Sequence, residues 1–100
     1  MKGIMVEYTV KKGFVNQNKS NIKKVMDDYI KLNHVGVKYS SWIKEDGKSF
    51  VHIVFVENGM ENPIPDLDAF KQFQAGLGEN IEKPPKSTEL EFVGATFTKV

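Results

Sequence analysis

Eight residues, SFVHIVFV from Ser49 to Val56, constrain the fold more than any other stretch. In an extended chain successive side chains point to opposite faces. Val51, Ile53 and Phe55 then line one face, and Phe50, His52, Val54 and Val56 the other. Both rows are apolar except at His52. A strand of this kind needs something packed on each side. Just before it, Asp46-Gly47 separates two strand-like runs, Val35 to Lys44 and the run from Lys48. Asp-Gly at such a point signals a hairpin with a two-residue type I′ loop, in which both central residues take positive φ. Pairing Glu45 with Lys48 sets the register. Ile43 then meets Phe50, Trp42 meets Val51, Ser41 meets His52 and Tyr39 meets Val54.

The flanking segments supply the other elements. Ile4, Val6, Tyr8 and Val10 alternate with Met5, Glu7, Thr9 and Lys11, the pattern of a half-buried strand. Ile22, Val25, Met26, Tyr29 and Ile30 recur at helical spacing and predict a helix from about Asn16 to Asn33. Glu57 to Pro65 reads as a loop. Leu67, Phe70, Phe73, Leu77 and Ile81 predict a second helix, with Asp66 as its N-cap and Pro84-Pro85 as its end. Gly76 and Gly78 within that pattern point to close approach of another backbone. Leu90 to Lys99 is the expected last strand.

The order is β-α-β-β-α-β over residues 1–100, read as one α+β domain. The usual solution is a four-stranded antiparallel sheet in the order 4-1-3-2, with both helices on one face. Two helices cover only that face. The second apolar face then calls for a partner, and a second copy of the chain is the simplest one. Apolar helices need an apolar row beneath them, and Val51, Ile53 and Phe55 supply it. His52 is therefore expected on the face opposite the helices, between two sheets, with Ser41 and Tyr39 for hydrogen bonds.

Composition narrows the function. Fourteen basic against thirteen acidic residues give a net charge of +1, which is not the clustered positive charge of a nucleic-acid binder. No apolar run is long enough to cross a bilayer as a helix, and no membrane partner is expected. The sequence has no cysteine, so disulfides, thiolate zinc sites and cysteine nucleophiles are excluded and a cytoplasmic location fits. No histidine spacing of the HxH or HExxH kind supports a metal, and no glycine-rich loop lies between a strand and a helix, so neither metal nor cofactor is expected.

The residues left for chemistry are few. Tyr8, Tyr39, Trp42 and His52 form an aromatic and polar group that could line a ligand pocket, with His52 as the candidate base. The register sends Tyr39 and Trp42 to opposite faces, so the two cannot share one cavity. A structural histidine satisfied by neighbouring hydroxyls is the plainer reading of His52. His34, after the first helix, suits the carbonyls at that helix's C-terminus. Lys48 to Phe55 loosely matches the aromatic strand of RNA-recognition domains, with Phe50 and His52 in the stacking positions, but Val51 stands where a small residue belongs.

The hairpin YSSWIKEDGKSFVHIVFVENG, the following NPIPDLDAFKQFQAGL and the closing PPKSTELEFVGA resemble the dimeric α/β-barrel superfamily, and within it the small bacterial proteins grouped with antibiotic-biosynthesis-monooxygenase-like domains. The AFKQFQAGL helix after an NP loop is the most specific part. The resemblance implies a ferredoxin-like monomer and a homodimer whose sheets close into a barrel. It implies no single activity, since the superfamily holds cofactor-independent oxygenases, isomerases, haem-degrading enzymes and stress-responsive proteins. The haem-degrading branch carries a histidine on its second helix, and the segment Asp66 to Lys83 has none. Two functions follow as expectations: a dimeric module binding a small apolar or aromatic ligand, or a cofactor-independent monooxygenase or isomerase of an aromatic or enolic molecule.

Overall fold

The computed structural model describes residues 1–96. The elements are β1 (Lys2–Val10), α1 (Val15–Lys31), β2 (Val37–Ile43), β3 (Ser49–Val56), α2 (Asp68–Leu77) and β4 (Ile81–Glu91), with single 3-10 turns at Lys12–Phe14, Ile64–Asp66 and Gly78–Asn80. They form one antiparallel sheet in the order β2-β3-β1-β4, as the element order predicts. Both helices pack on the same face, and the core lies between them and the sheet.

The β2–β3 register is the expected one: Tyr39 faces Val54, Ser41 faces His52, Trp42 faces Val51 and Ile43 faces Phe50. The loop differs. Lys44 N–H donates to Ser49 O at 2.8 Å and Gly47 N–H to Lys44 O at 3.0 Å, which leaves a four-residue loop in place of the type I′ turn. Gly47 has a φ of 76°, and Asp46 does not share the positive φ. The Asp46 carboxylate instead accepts the backbone N–H groups of Lys48 and Ser49 at 2.9 and 2.8 Å and bonds the Ser49 hydroxyl. An aspartate that ties its own loop this way does not need the left-handed backbone.

The face assignment is reversed. Tyr8, Val10, Val37 and Phe50 belong to the core beneath the helices, with Val6, Tyr39, Val54 and Val56 packed against it. His52 lies on that same side, buried, with its ring 5.6 Å from Phe73 of α2. The expectation that His52 faces away from the helices fails because its partners are on the helix side. Tyr8 and Tyr39 each bring a hydroxyl to the imidazole, so the core holds it without an unmet hydrogen bond. Val51, Ile53 and Phe55 face away from the helices.

The end of the chain also differs. The second helix stops at Leu77, and β4 begins at Ile81, nine residues before the expected Leu90. Pro84 and Pro85 do not end a helix. They sit in β4, where the pairing to β1 shifts between Thr9–Lys83 and Glu7–Lys86. An edge strand at a bulge tolerates the missing N–H donors. Residues 97–99 of the expected last strand lie outside the described residues. Close helix approach occurs at Gly76, where a Cβ would lie 3.3 Å from Asn21 Nδ2 on α1, and not at Gly78, which lies beyond the helix.

Candidate functional site

Three strands place three rings in a line. Tyr8 on β1 faces Phe50 of β3, and Tyr39 on β2 faces Val54. His52 stands between those two positions on β3, so each tyrosine is its diagonal neighbour on one side, within reach of a long side chain. The Tyr8 hydroxyl lies 2.7 Å from His52 Nε2, and the Tyr39 hydroxyl lies 2.6 Å from Nδ1. Both imidazole nitrogens are thereby used. Asn18 of α1 extends the chain by donating from Nδ2 to the Tyr8 hydroxyl at 2.9 Å. The Tyr8 and His52 rings are near-parallel at 5.3 Å between centroids, and Phe73 tilts over the imidazole.

Burial sets the protonation states. The interior penalises the imidazolium and lowers the His52 pKa to about 4. It raises both tyrosine pKa values above the ordinary 10.0. At Tyr8 the Asn18 hydrogen bond partly opposes the rise, and at Tyr39 the nearby Tyr8 adds to it. At neutral pH the chain Asn18–Tyr8–His52–Tyr39 is uncharged throughout. It can hold and orient an oxygen, and it is a weak base.

Tyr8, Tyr39 and His52 line one wall of a cavity of about 600 Å³ between the sheet and α2. That volume suits a small molecule. Ile4, Val54, Val56, Ile64, Phe70 and Leu77 make much of the remaining surface apolar, with Asn62, Gln74 and Ser87 as further polar groups. Lys2 is the one charged residue among the lining residues, at the far end of β1.

Of the candidates read from the sequence, Tyr8, Tyr39 and His52 come together. Trp42 does not: it is 62% exposed, lies on the other side of β2 from Tyr39, and donates its indole N–H to Ser40 Oγ at 3.1 Å. His34 does not cap the helix carbonyls. Its ring meets the Tyr29 hydroxyl at 2.9 Å. Sequence reasoning missed Asn18, an amide that continues the buried helix row of Ile22 and Val25. A polar residue in an apolar stripe was the available signal. Among the described residues no three His, Cys, Asp or Glu side chains converge as a metal site.

No family model matches the chain, and no curated protein does. Solved structures do. One is named an antibiotic biosynthesis monooxygenase: it has a TM-score of 0.70 and 10% identity, over 94% of this chain and 100% of that one. A protein from Nitrosomonas europaea, provisionally named an antibiotic biosynthesis monooxygenase, has a TM-score of 0.75 and 12% identity, over 92% and 89% of the two chains. One from Caulobacter crescentus, likewise provisionally named, has a TM-score of 0.72 and 17% identity, over 93% and 90%. The chain has the fold of these antibiotic-biosynthesis-monooxygenase-like proteins, a ferredoxin-like α+β sheet with two helices.

Proposed function

We propose that the protein binds a small, largely apolar or aromatic molecule in the cavity between the sheet and α2, with an oxygen of that molecule held at the Tyr39–His52 end. One observation carries this reading: a neutral Tyr–His–Tyr hydrogen-bond chain forms one wall of a cavity of about 600 Å³ that is otherwise mostly apolar. Apolar walls supply affinity, and a few placed polar groups supply orientation. A thermal-shift screen of bicyclic phenols and ketones tests it. A ligand at a hundred times its dissociation constant stabilises the folded chain by about 2.7 kcal/mol. Loss of that stabilisation in Tyr39→Phe would tie it to this wall.

The alternative is a monooxygenase or isomerase acting on an aromatic or enolic molecule. It is favoured by the position of His52 and Tyr39 on the cavity wall, where the Tyr39 hydroxyl could hold a developing anion and the imidazole could take a proton only after giving up one of its two tyrosine hydrogen bonds. A base with a pKa of about 4 limits this to substrates whose own proton is acidic. Oxygen uptake with enolic substrates, compared between wild type and His52→Phe, separates catalysis from binding alone.

The working unit in this proposal is a homodimer in the cytoplasm. Met5 and Ile53 are cross-strand partners, as are Gly3 and Phe55, Gly3 and Leu90, and Trp42 and Val51. They form an apolar surface on the side of the sheet away from the helices. A second copy, sheet against sheet, would cover it and produce the barrel that the resemblance implies.

A further inference from the structure

We propose that Asn18 is a positioning residue that fixes the direction of the hydrogen-bond chain, so that Tyr39 presents its hydroxyl proton to the cavity and the site takes apolar or aromatic molecules bearing a carbonyl oxygen. The proposal rests on the reading of the cavity as a ligand site. Its starting point is chemical: an amide nitrogen donates and does not accept. Asn18 Nδ2 lies 2.9 Å from the Tyr8 oxygen, so Tyr8 accepts there and must send its own proton elsewhere. Its other partner is His52 Nε2 at 2.7 Å. Tyr8 is buried, so a hydroxyl proton without an acceptor would be costly. Nε2 therefore accepts. A neutral imidazole has one N–H, which then sits on Nδ1 and is donated to the Tyr39 oxygen at 2.6 Å. Tyr39 is left with its own proton, and no other hydrogen bond of its hydroxyl occurs among the described residues. Tyr39 lines the cavity, and Asn18 does not. A residue of α1 thus decides, through Tyr8 and His52, that the wall offers a donor. Run in the opposite direction, Tyr39 would spend its proton on Nδ1 and offer only lone pairs.

The test has two readouts. Two-dimensional 15N–1H NMR of histidine-labelled protein reports which imidazole nitrogen carries the proton, without any ligand. Titration with 2-acetylnaphthalene and with 2-ethylnaphthalene, which have the same shape and differ in the carbonyl, reports what the wall accepts. Wild type should show the proton on Nδ1 and bind the ketone about three- to tenfold more tightly than the hydrocarbon. In Asn18→Asp, at a pH where the carboxyl is ionised, the carboxylate accepts from Tyr8, the chain reverses, the proton moves to Nε2 and the preference for the ketone disappears. Should that variant not fold, the wild-type tautomer and the loss of the ketone preference in Tyr39→Phe decide the matter. A proton on Nε2 in wild type, or equal binding of the two probes, overturns the inference and leaves the cavity as a ligand site. Binding of neither probe, with the proton on Nδ1, defeats the ligand-site reading and with it the ligand class assigned here.

Discussion

His52 folds without charge, and this gives it a pH signature. Its pKa falls from 6.5 in the unfolded chain to about 4 in the fold. Above 6.5 both states are neutral at this residue and nothing is lost. As pH drops the unfolded chain takes up the proton first, so stability falls by about 1.4 kcal/mol per pH unit. The loss ends once the folded state also protonates, and below that value His52 contributes no further slope. Chemical denaturation between pH 7 and 4 should show a loss of about 3 kcal/mol that is missing in His52→Phe. Equal slopes in the two proteins would mean that the imidazole is charged or exposed when folded. Asn18 makes a second prediction at this scale. It is fully buried, and its Oδ1 has no partner among the described residues. Asn18→Leu removes a donor to Tyr8 and also removes that orphaned acceptor. The two effects oppose each other, so the change in unfolding free energy should stay within about 1 kcal/mol. A loss above about 3 kcal/mol would show that Oδ1 has a partner after all. The sequence made Tyr8, Tyr39 and His52 legible as a group because tyrosine hydroxyls are natural partners for a buried imidazole. Their face is not legible from alternation, because both rows of β3 are apolar enough to lie beneath helices and the hydroxyl partners of His52 decide between them. Asn18 is not legible in the same way, because helical periodicity rests on apolar residues and an amide in the same row does not contribute to it.

At the scale of elements, legibility followed the strength of the pattern. β1, α1, β2 and β3 carry clear apolar periodicity, and each was read within a few residues of its bounds. β4 does not. Ile81–Glu91 is an edge strand rich in lysine, glutamate and proline, residues that protect an edge from unwanted pairing and also erase the alternation. Its strand character comes from pairing with β1, which local sequence does not encode. The β2–β3 hairpin was legible in register and misread in loop type, because the reach of the Asp46 side chain to Lys48 and Ser49 decides the turn. Gly47 still carries the left-handed backbone, with open space around the position of a Cβ. Gly47→Val therefore meets no clash and is disfavoured by conformation alone. It should destabilise the protein by about 1–2 kcal/mol in urea unfolding. No measurable loss would mean that the loop tip reorganises freely.

For the whole molecule, the two proposed roles fall on different surfaces. The proposed dimer uses the sheet face away from the helices, and the proposed ligand uses the cavity beneath α2. The assembly claim predicts sedimentation at twice the 11.3 kDa of one chain. Ile53→Lys, which puts a charge in the middle of that face, should give the single-chain mass, while a wild-type chain sedimenting alone at micromolar concentration would refute the dimer. Trp42 lies outside the cavity and so serves as an internal control for ligand binding there. The sequence has one tryptophan, so its indole N–H is a single resolved NMR signal on the far side of the sheet. The decisive measurement is side-chain NMR during titration with 2-acetylnaphthalene. A ligand in this cavity gives saturable shifts at Tyr39, His52 and Phe73 and leaves the Trp42 signal unmoved. Shifts centred on Trp42 and Phe55, or none at Tyr39 and His52 up to the solubility of the probe, would contradict the proposed site.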